Sequence, residues 1–307
     1  MSRSAILLVC VVASSCAGEA GDSPDAGDTS GGDDQDDDDD DPIPDVATGD
    51  ESGSGEIGCA CDGVGDGIYI WFEEGDVGLY DPERNEVTDL GTLGCDMPAY
   101  FPNAIAVSPD GAITANLANG SGGGYPFMSS VAALDGCEPA PSDAVGFPLV
   151  GMTYMPTAQG CETVFMFDNS ARPGVPAQLV RWDVADDERV EIATSEYLVA
   201  ELAGTPDGRL FAYLVNAEWR PSIAELDPQT GELLSEIGTP VEIGNALVFA
   251  FWRDNLYMIN NYDVDPFLET TETRVVRVDP DTNATGLIMP PFADRIVLGA
   301  NAPPCLR

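Results

Sequence analysis

Histidine and lysine are both missing from this chain of 307 residues. Without histidine the commonest nitrogen ligand for zinc is gone, which argues against a Cys/His metal site for its eight cysteines. The Ser-His-Asp and Cys-His forms of nucleophilic catalysis are excluded for the same reason. Without lysine, twelve arginines face 54 acidic residues, and the formal net charge is -42. Such a field repels nucleic acid and anionic lipid surfaces. Arginine in place of lysine fits either a genome that favours Arg codons or selection for a salty habitat, and neither bears on the fold. No apolar run approaches the ~20 residues needed to cross a bilayer. No long stretch has a period of 3.6, so helices should be scarce.

What is present begins with an address. Arg3 is a basic start, Ala5 to Val12 form a short apolar core, and the small residues Ala13, Ser14 and Ser15 precede Cys16. That is the layout of a secretory signal over residues 1–16. Residues 17–58 hold sixteen acidic side chains and no basic one, including the run Asp36 to Asp41, with Gly, Ser, Pro, Ala and Thr for most of the rest. Almost nothing there offsets the entropy of ordering, and self-repulsion extends it, so it reads as a disordered acidic tether. The Asp run has the charge for calcium but lacks fixed ligand geometry, and is read as a solvated spacer.

About 250 residues remain, enough for one large domain. Over 59–307 one order recurs five times: strand, turn, strand, variable loop, a third strand ending in Asp, turn, strand. The aspartates are Asp81, Asp135, Asp183, Asp227 and Asp279, spaced by 54, 48, 44 and 52 residues, a blade-sized period. A second marker keeps step between the first two strands: Asp66-Gly67, Ser108-Pro109-Asp110-Gly111, Pro156 to Gly160, Thr205-Pro206-Asp207-Gly208 and Trp252-Arg253-Asp254-Asn255. Pro presets one torsion, Asp bonds back to the backbone and Gly or Asn tolerates positive φ. Four antiparallel strands repeated radially make an all-β propeller. The expected number of blades is five, with six if the loop Asn119 to Ser130 or the segment Cys137 to Val150 hides further strands. Ile68 begins a second strand, so the C-terminal segment Arg295 to Gly299 should close the ring by supplying the missing inner one.

The run Ala13-Ser14-Ser15-Cys16 resembles a bacterial lipobox, with Ala where Leu is commonest, and the resemblance implies a lipid on Cys16; ordinary cleavage is the alternative. Ala17 stands where Asp would favour retention at the inner membrane, which by the same resemblance implies the outer membrane or cell surface. Ile105 to Gly111, with Leu226-Asp227-Pro228-Gln229-Thr230-Gly231 later, is similar to the YVTN and SMP-30-like repeat propellers. The whole build resembles propeller lipoproteins of myxobacterial type. These likenesses speak for architecture more than function.

Six cysteines, Cys59, Cys61, Cys95, Cys137, Cys161 and Cys305, follow the signal, and an even number in an exported chain reads as three disulfides. With Cys137 placed just after a third strand and Cys161 just before a second, those two can meet. Cys305 falls beside Cys59 or Cys61, and Cys95 takes the one left over. A metal or redox role for Cys59-Ala60-Cys61 is the alternative.

Second-to-third-strand loops share one face and carry marked chemistry: Tyr125 and Phe127, then Trp219 and Arg220, then Tyr262, Asp263, Asp265 and Phe267. Flat rings beside Asp and Asn suit a glycan, peptide or protein partner outside the cell. At the channel mouth on that face the inner strands begin near Asn103, Glu242, Asn245 and Asp294. The SMP-30-like resemblance implies a divalent metal near such a mouth. Three functions follow: a tethered binding or scaffold module, which is read first and is not an enzyme; a metal-dependent, lactonase-like hydrolase; and a purely structural envelope protein. No cofactor is required, and calcium is the one left open.

Overall fold

The computed structural model describes residues 59–95, 100–119, 124–140, 149–158, 160–169, 176–218, 220–238, 246–265 and 270–306. The expected signal, Cys16 and the tether lie outside them. Blade 1 contains β1 (Ile68–Phe72), β2 (Asp76–Asp81) and β3 (Glu86–Thr92). Blade 2 is β4 (Tyr100–Val107), β5 (Ala112–Asn119), β6 (Gly124–Ser130) and β7 (Ala133–Pro139). Blade 3 is β8 (Val150–Thr157), β9 (Gly160–Asp168), β10 (Ala177–Asp183) and β11 (Glu188–Ser195). Blade 4 is β12 (Val199–Gly204), β13 (Leu210–Val215), β14 (Pro221–Leu226) and β15 (Leu233–Ile237). Blade 5 is β16 (Ala246–Trp252), β17 (Asn255–Asp265), β18 (Thr270–Val278) and β19 (Thr285–Ile288). The last strand, β20 (Val297–Asn301), pairs antiparallel with β1 and completes blade 1 as its inner strand. The protein is a five-bladed β-propeller of four-stranded antiparallel sheets, closed by its C-terminal strand.

Both faces of each blade are covered by neighbours, so the middle strands read as continuous apolar runs. All five residues of β1 and all six of β13 are buried. Side chains alternate between the two seams that flank a blade. Tyr69 and Trp71 pack into blade 2, while Ile68, Ile70 and Phe72 pack into blade 5.

The aspartate repeat has a local cause. Oδ1 of Asp81, Asp183, Asp227 and Asp279 each accepts two backbone N–H bonds from the residues two and three further on, at 2.7–3.4 Å. Four residues after each aspartate the chain takes a positive φ, at Asn85, Asp187, Gly231 and Asn283. This is a third-to-fourth-strand turn capped by its own side chain.

Blade 2 departs from the pattern, and the expectation built on Asp135 is corrected there. Its third strand is β6, which ends at Ser130, and Asp135 lies on the fourth strand β7. The stretch from Asn119 to Ser130 therefore contains a strand and not only a loop, without adding a sixth blade.

That shift of register also corrects the cysteine pairing. Cys137 sits on β7 and bonds Cys95, beyond the end of β3, clipping blade 1 to blade 2 at their outer edges. The amide of Gly94 donating to the carbonyl of Leu134 at 2.7 Å holds the two segments together. Cys161, at the start of β9, bonds Cys59, not Cys137. Cys61 bonds Cys305, as one of the two expected alternatives, and ties the beginning of the domain to its end across a separation of 244 residues. Three disulfides are consistent with an extracytoplasmic protein.

Inner strands are held to the preceding blade by side chains. Each is the channel-side edge of its blade, so alternate N–H groups on it have no ladder partner. Asn301 Oδ1 on β20 accepts the amide of Val107 on β4 at 2.9 Å. Asn103 Oδ1 on β4 accepts that of Val150 on β8 at 2.9 Å. Thr153 Oγ1 on β8 accepts that of Gly204 on β12 at 3.0 Å. Asn261 Oδ1 on β17 accepts that of Val297 on β20 at 3.2 Å. Strands come very close at these points: a Cβ added to Gly204 would lie 2.4 Å from the carbonyl oxygen of Tyr154, and one on Gly299 would lie 2.9 Å from the amide of Ile105. Only glycine admits that approach.

The Cys61–Cys305 bond removes more loop-closure freedom from the unfolded chain than either other bridge, because it spans nearly the whole domain. Replacing both cysteines by serine is expected to cost about 3–5 kcal/mol. Replacing Cys95 and Cys137, which span 42 residues, should cost less. Urea unfolding of the oxidised variants checks the order.

Candidate functional site

Antiparallel order fixes two faces. On the lower one lie the first-to-second and third-to-fourth-strand turns. The upper one carries the second-to-third connections and the crossings into the next blade. The Cys59–Cys161 and Cys61–Cys305 bridges lie at the lower face, where the amide of Asp62 also donates to the carbonyl of Pro109 at 3.1 Å.

Among the expected ligand-face residues, Tyr125 heads β6 on the upper face, is 50% exposed, and meets Tyr100 edge to face with centroids 5.3 Å apart. Phe127 does not belong to that face: two residues along the same strand, it is buried among Leu117, Ile105 and Leu134 in the seam with blade 1. Arg220 is exposed just before β14, and its amide donates to Asn216 Oδ1 at 2.9 Å. Tyr262 is half-buried on β17 with the Arg274 guanidinium 5.0 Å from its ring, and Arg274 is paired to Glu272 at 2.7 Å. Asp263 and Asp265 are strand residues of β17, paired with Thr271 and Thr270, and not loop residues. Trp219 and Phe267 lie outside the described residues. Tyr125 in blade 2 and Tyr262 in blade 5 thus share a face but stand in blades that are not adjacent.

At the channel mouth Asn103 is a bulge residue between Pro102 and Ala104. Its Oδ1 receives both the Val150 amide and Asn116 Nδ2, the latter at 2.8 Å. Two donors use both lone pairs of that oxygen, so Asn103 does not fit as an oxygen ligand for the divalent metal that the propeller resemblance implies. Asp294 is exposed in the turn before β20. Glu242 and Asn245 lie outside the described residues. Among the described residues no three His, Cys, Asp or Glu side chains come together as a metal-binding group.

Sequence reading missed the polar residues that the fold carries inward. Asn116, Thr153, Asn260, Asn261 and Asn301 are all buried. Asn is depleted in strands, so an Asn inside an apolar β run, as in Met258-Ile259-Asn260-Asn261, was the available signal. Glu201 on β12 was missed too. Asn169 Nδ2 donates to its Oε1 at 3.2 Å, and burial pushes its carboxyl well above the ordinary 4.5 while that bond offsets only part of the shift. A cavity of about 380 Å³ also opens between blades 3 and 4, floored by Phe167, Leu179, Leu214 and Leu226 and flanked by Tyr197 and half-exposed Leu233. None of the candidate ligand-face or channel-mouth residues lines it.

No family model matches the chain, and no curated protein does. Similar solved structures include a crystal structure of a nidogen/laminin complex, at 12% identity over 79% of this chain and 100% of that one, TM-score 0.48. Another is a calcium-binding protein, regucalcin, from Agrobacterium tumefaciens, at 14% identity over 76% and 77%, TM-score 0.43. A third is a protein from Bacteroides caccae, at 8% identity over 76% and 97%, TM-score 0.40.

Because the fold prefers Glu201 in its neutral form, the stability this group lends is whole below about 4.5 and drains away as pH rises through its raised folded value. Glu201→Gln is expected to flatten that fall and to be at least as stable as the parent at neutral pH. Urea unfolding between about pH 4 and pH 8 reads the slope; an unchanged slope counts against the assignment.

Proposed function

We propose that this protein is an exported propeller, anchored to the outer membrane or cell surface by a lipid on Cys16, whose upper face binds an extracellular glycan, peptide or protein. The observation that carries the reading is the opposition of two faces. Cys59, the first described residue, is tied down on the lower face, and the half-exposed ring of Tyr125 stands on the other. A chain that enters the propeller through Cys59 on the lower face leaves the opposite, aromatic face free for a partner. Tyr125 over Tyr100, and Tyr262 under Arg274, offer flat apolar surfaces with a polar group beside them, which suits stacking with oriented hydrogen bonds. The excess of acidic residues favours neutral or basic partners over anionic ones.

Two measurements test this. Cys16→Ser is expected to move the protein from the membrane fraction to the soluble one, with loss of labelled fatty acid. On glycan and peptide arrays in calcium buffer, the mature chain should bind at about micromolar levels, and Tyr125→Ala or Arg274→Ala should weaken binding roughly tenfold, the loss expected from removing one stacking contact. Blank arrays, together with a deletion strain impaired only in envelope integrity, would replace the reading by a structural role.

A further inference from the structure

Four of the five seams carry a side-chain oxygen that accepts an inner-strand amide of the next blade: Asn301 to Val107, Asn103 to Val150, Thr153 to Gly204 and Asn261 to Val297. Among the described residues the seam between blades 4 and 5 has no such contact. At that seam two buried polar side chains have no hydrogen-bond partner: the hydroxyl of Tyr213, 0% exposed, and both Oδ1 and Nδ2 of Asn260, 1% exposed. Tyr213 packs with Phe211, Phe249 and Met258, where blade 4 meets blade 5. Asn260 lies two residues beyond Met258 on β17 and so projects to the same side. Both are in the upper half of the ring, since Tyr213 pairs with Glu201 near the start of β12 and Asn260 pairs with Leu247 near the start of β16.

Native interiors rarely leave three polar atoms of one seam unpaired, and gaps of this kind are filled by bound oxygen atoms. The chemistry of the occupant follows from the donors and acceptors. A primary amide offers an NH2 donor group and a carbonyl acceptor side by side, and the Tyr213 phenol at the same seam can donate or accept. A cation would meet the Asn260 N–H as a repulsive neighbour, and an anion would meet the Asn260 carbonyl.

We infer that the seam between blades 4 and 5 holds a pair of adjacent hydroxyl oxygens, one accepting from Asn260 Nδ2, the other donating to Asn260 Oδ1, with the Tyr213 phenol bonded to one of the two. Two resident waters supply this pair, and so does the vicinal diol of a polyol or sugar. The inference stands apart from the upper-face reading, since Tyr125 in blade 2 takes no part in it.

Thermal unfolding of the full mature chain gives the sign. With the oxygens present, Asn260→Leu breaks bonds to them and lowers Tm by about 2–4 °C. Tyr213→Phe lowers it by less, and the double variant loses less than the sum, because both changes release the same pair. A crystal structure grown and cooled without polyol should show two oxygen peaks within hydrogen-bonding distance of Asn260. Glycerol or mannose then separates the sources. Waters leave Tm insensitive to either compound beyond the general effect seen also with Asn260→Leu, whereas a diol site raises Tm of the parent alone. A rise in Tm on Asn260→Leu, which would mean that unpaired atoms had been relieved, overturns the inference, as does a seam without ordered oxygens.

Discussion

An inner strand with one unpaired edge is the constraint on which the rest of this molecule depends. A four-stranded blade ends at the channel in a row of amides with no ladder partner, and five such edges meet around one axis. Short polar side chains from the preceding blade meet this need at the Val107, Val150, Gly204 and Val297 amides. Asn301 shows how far the coupling extends, because its Nδ2 also donates to Thr153 Oγ1 at 3.0 Å, two blades away. The last strand therefore does more than finish the first sheet. It supplies the atom that joins blade 1 to blade 2 and a bond that reaches blade 3, and the Cys61–Cys305 bridge holds it in place.

Scarce positive charge is placed along the same seams. Arg209 makes a two-pronged bond to Glu225 on its own blade, at 2.9 and 3.0 Å, and faces Asp281 of blade 5 at 3.7 Å. Arg253 of blade 5 lies over the Trp252 ring and reaches Asp66 and Glu83 of blade 1. Arg295, just ahead of β20, bonds Asp76 at 2.9 Å and covers the Phe72 ring. These pairs are partly exposed, and each adds little stability by itself. Their effect is to break up an otherwise uniform acidic surface where neighbouring blades would repel one another.

The fold was legible because two turn chemistries recur with the blade. A side-chain oxygen at Asp81, Asp183, Asp227 and Asp279 caps each turn locally, so its signature needs no tertiary context. Asp135 misled for the converse reason: blade 2 turns at Val131 and Ala132 without that cap, and an aspartate on the neighbouring strand fell close to the expected spacing. One misplaced strand then moved Cys137 to the wrong height and Phe127 from core to surface. The candidate site was less legible. Tyr125 could be read as a surface ring from its Gly-rich surroundings, whereas Glu201, Asn260 and Tyr213 sit in strands whose neighbours in the sequence do not reveal which seam they enter.

By itself the sequence determined the class of fold, the closure by the C-terminal strand, the oxidised state implied by its cysteines and the exclusion of histidine chemistry. Composition, strand period and turn residues are local quantities, and those conclusions need nothing more. Only the tertiary structure decided which cysteines meet, which asparagines join one blade to the next and which seam gathers the Tyr213 and Asn260 polar atoms without partners. Each of those depends on contacts between residues far apart in the chain, and a shift of one residue along a strand turns a side chain from one seam to the other.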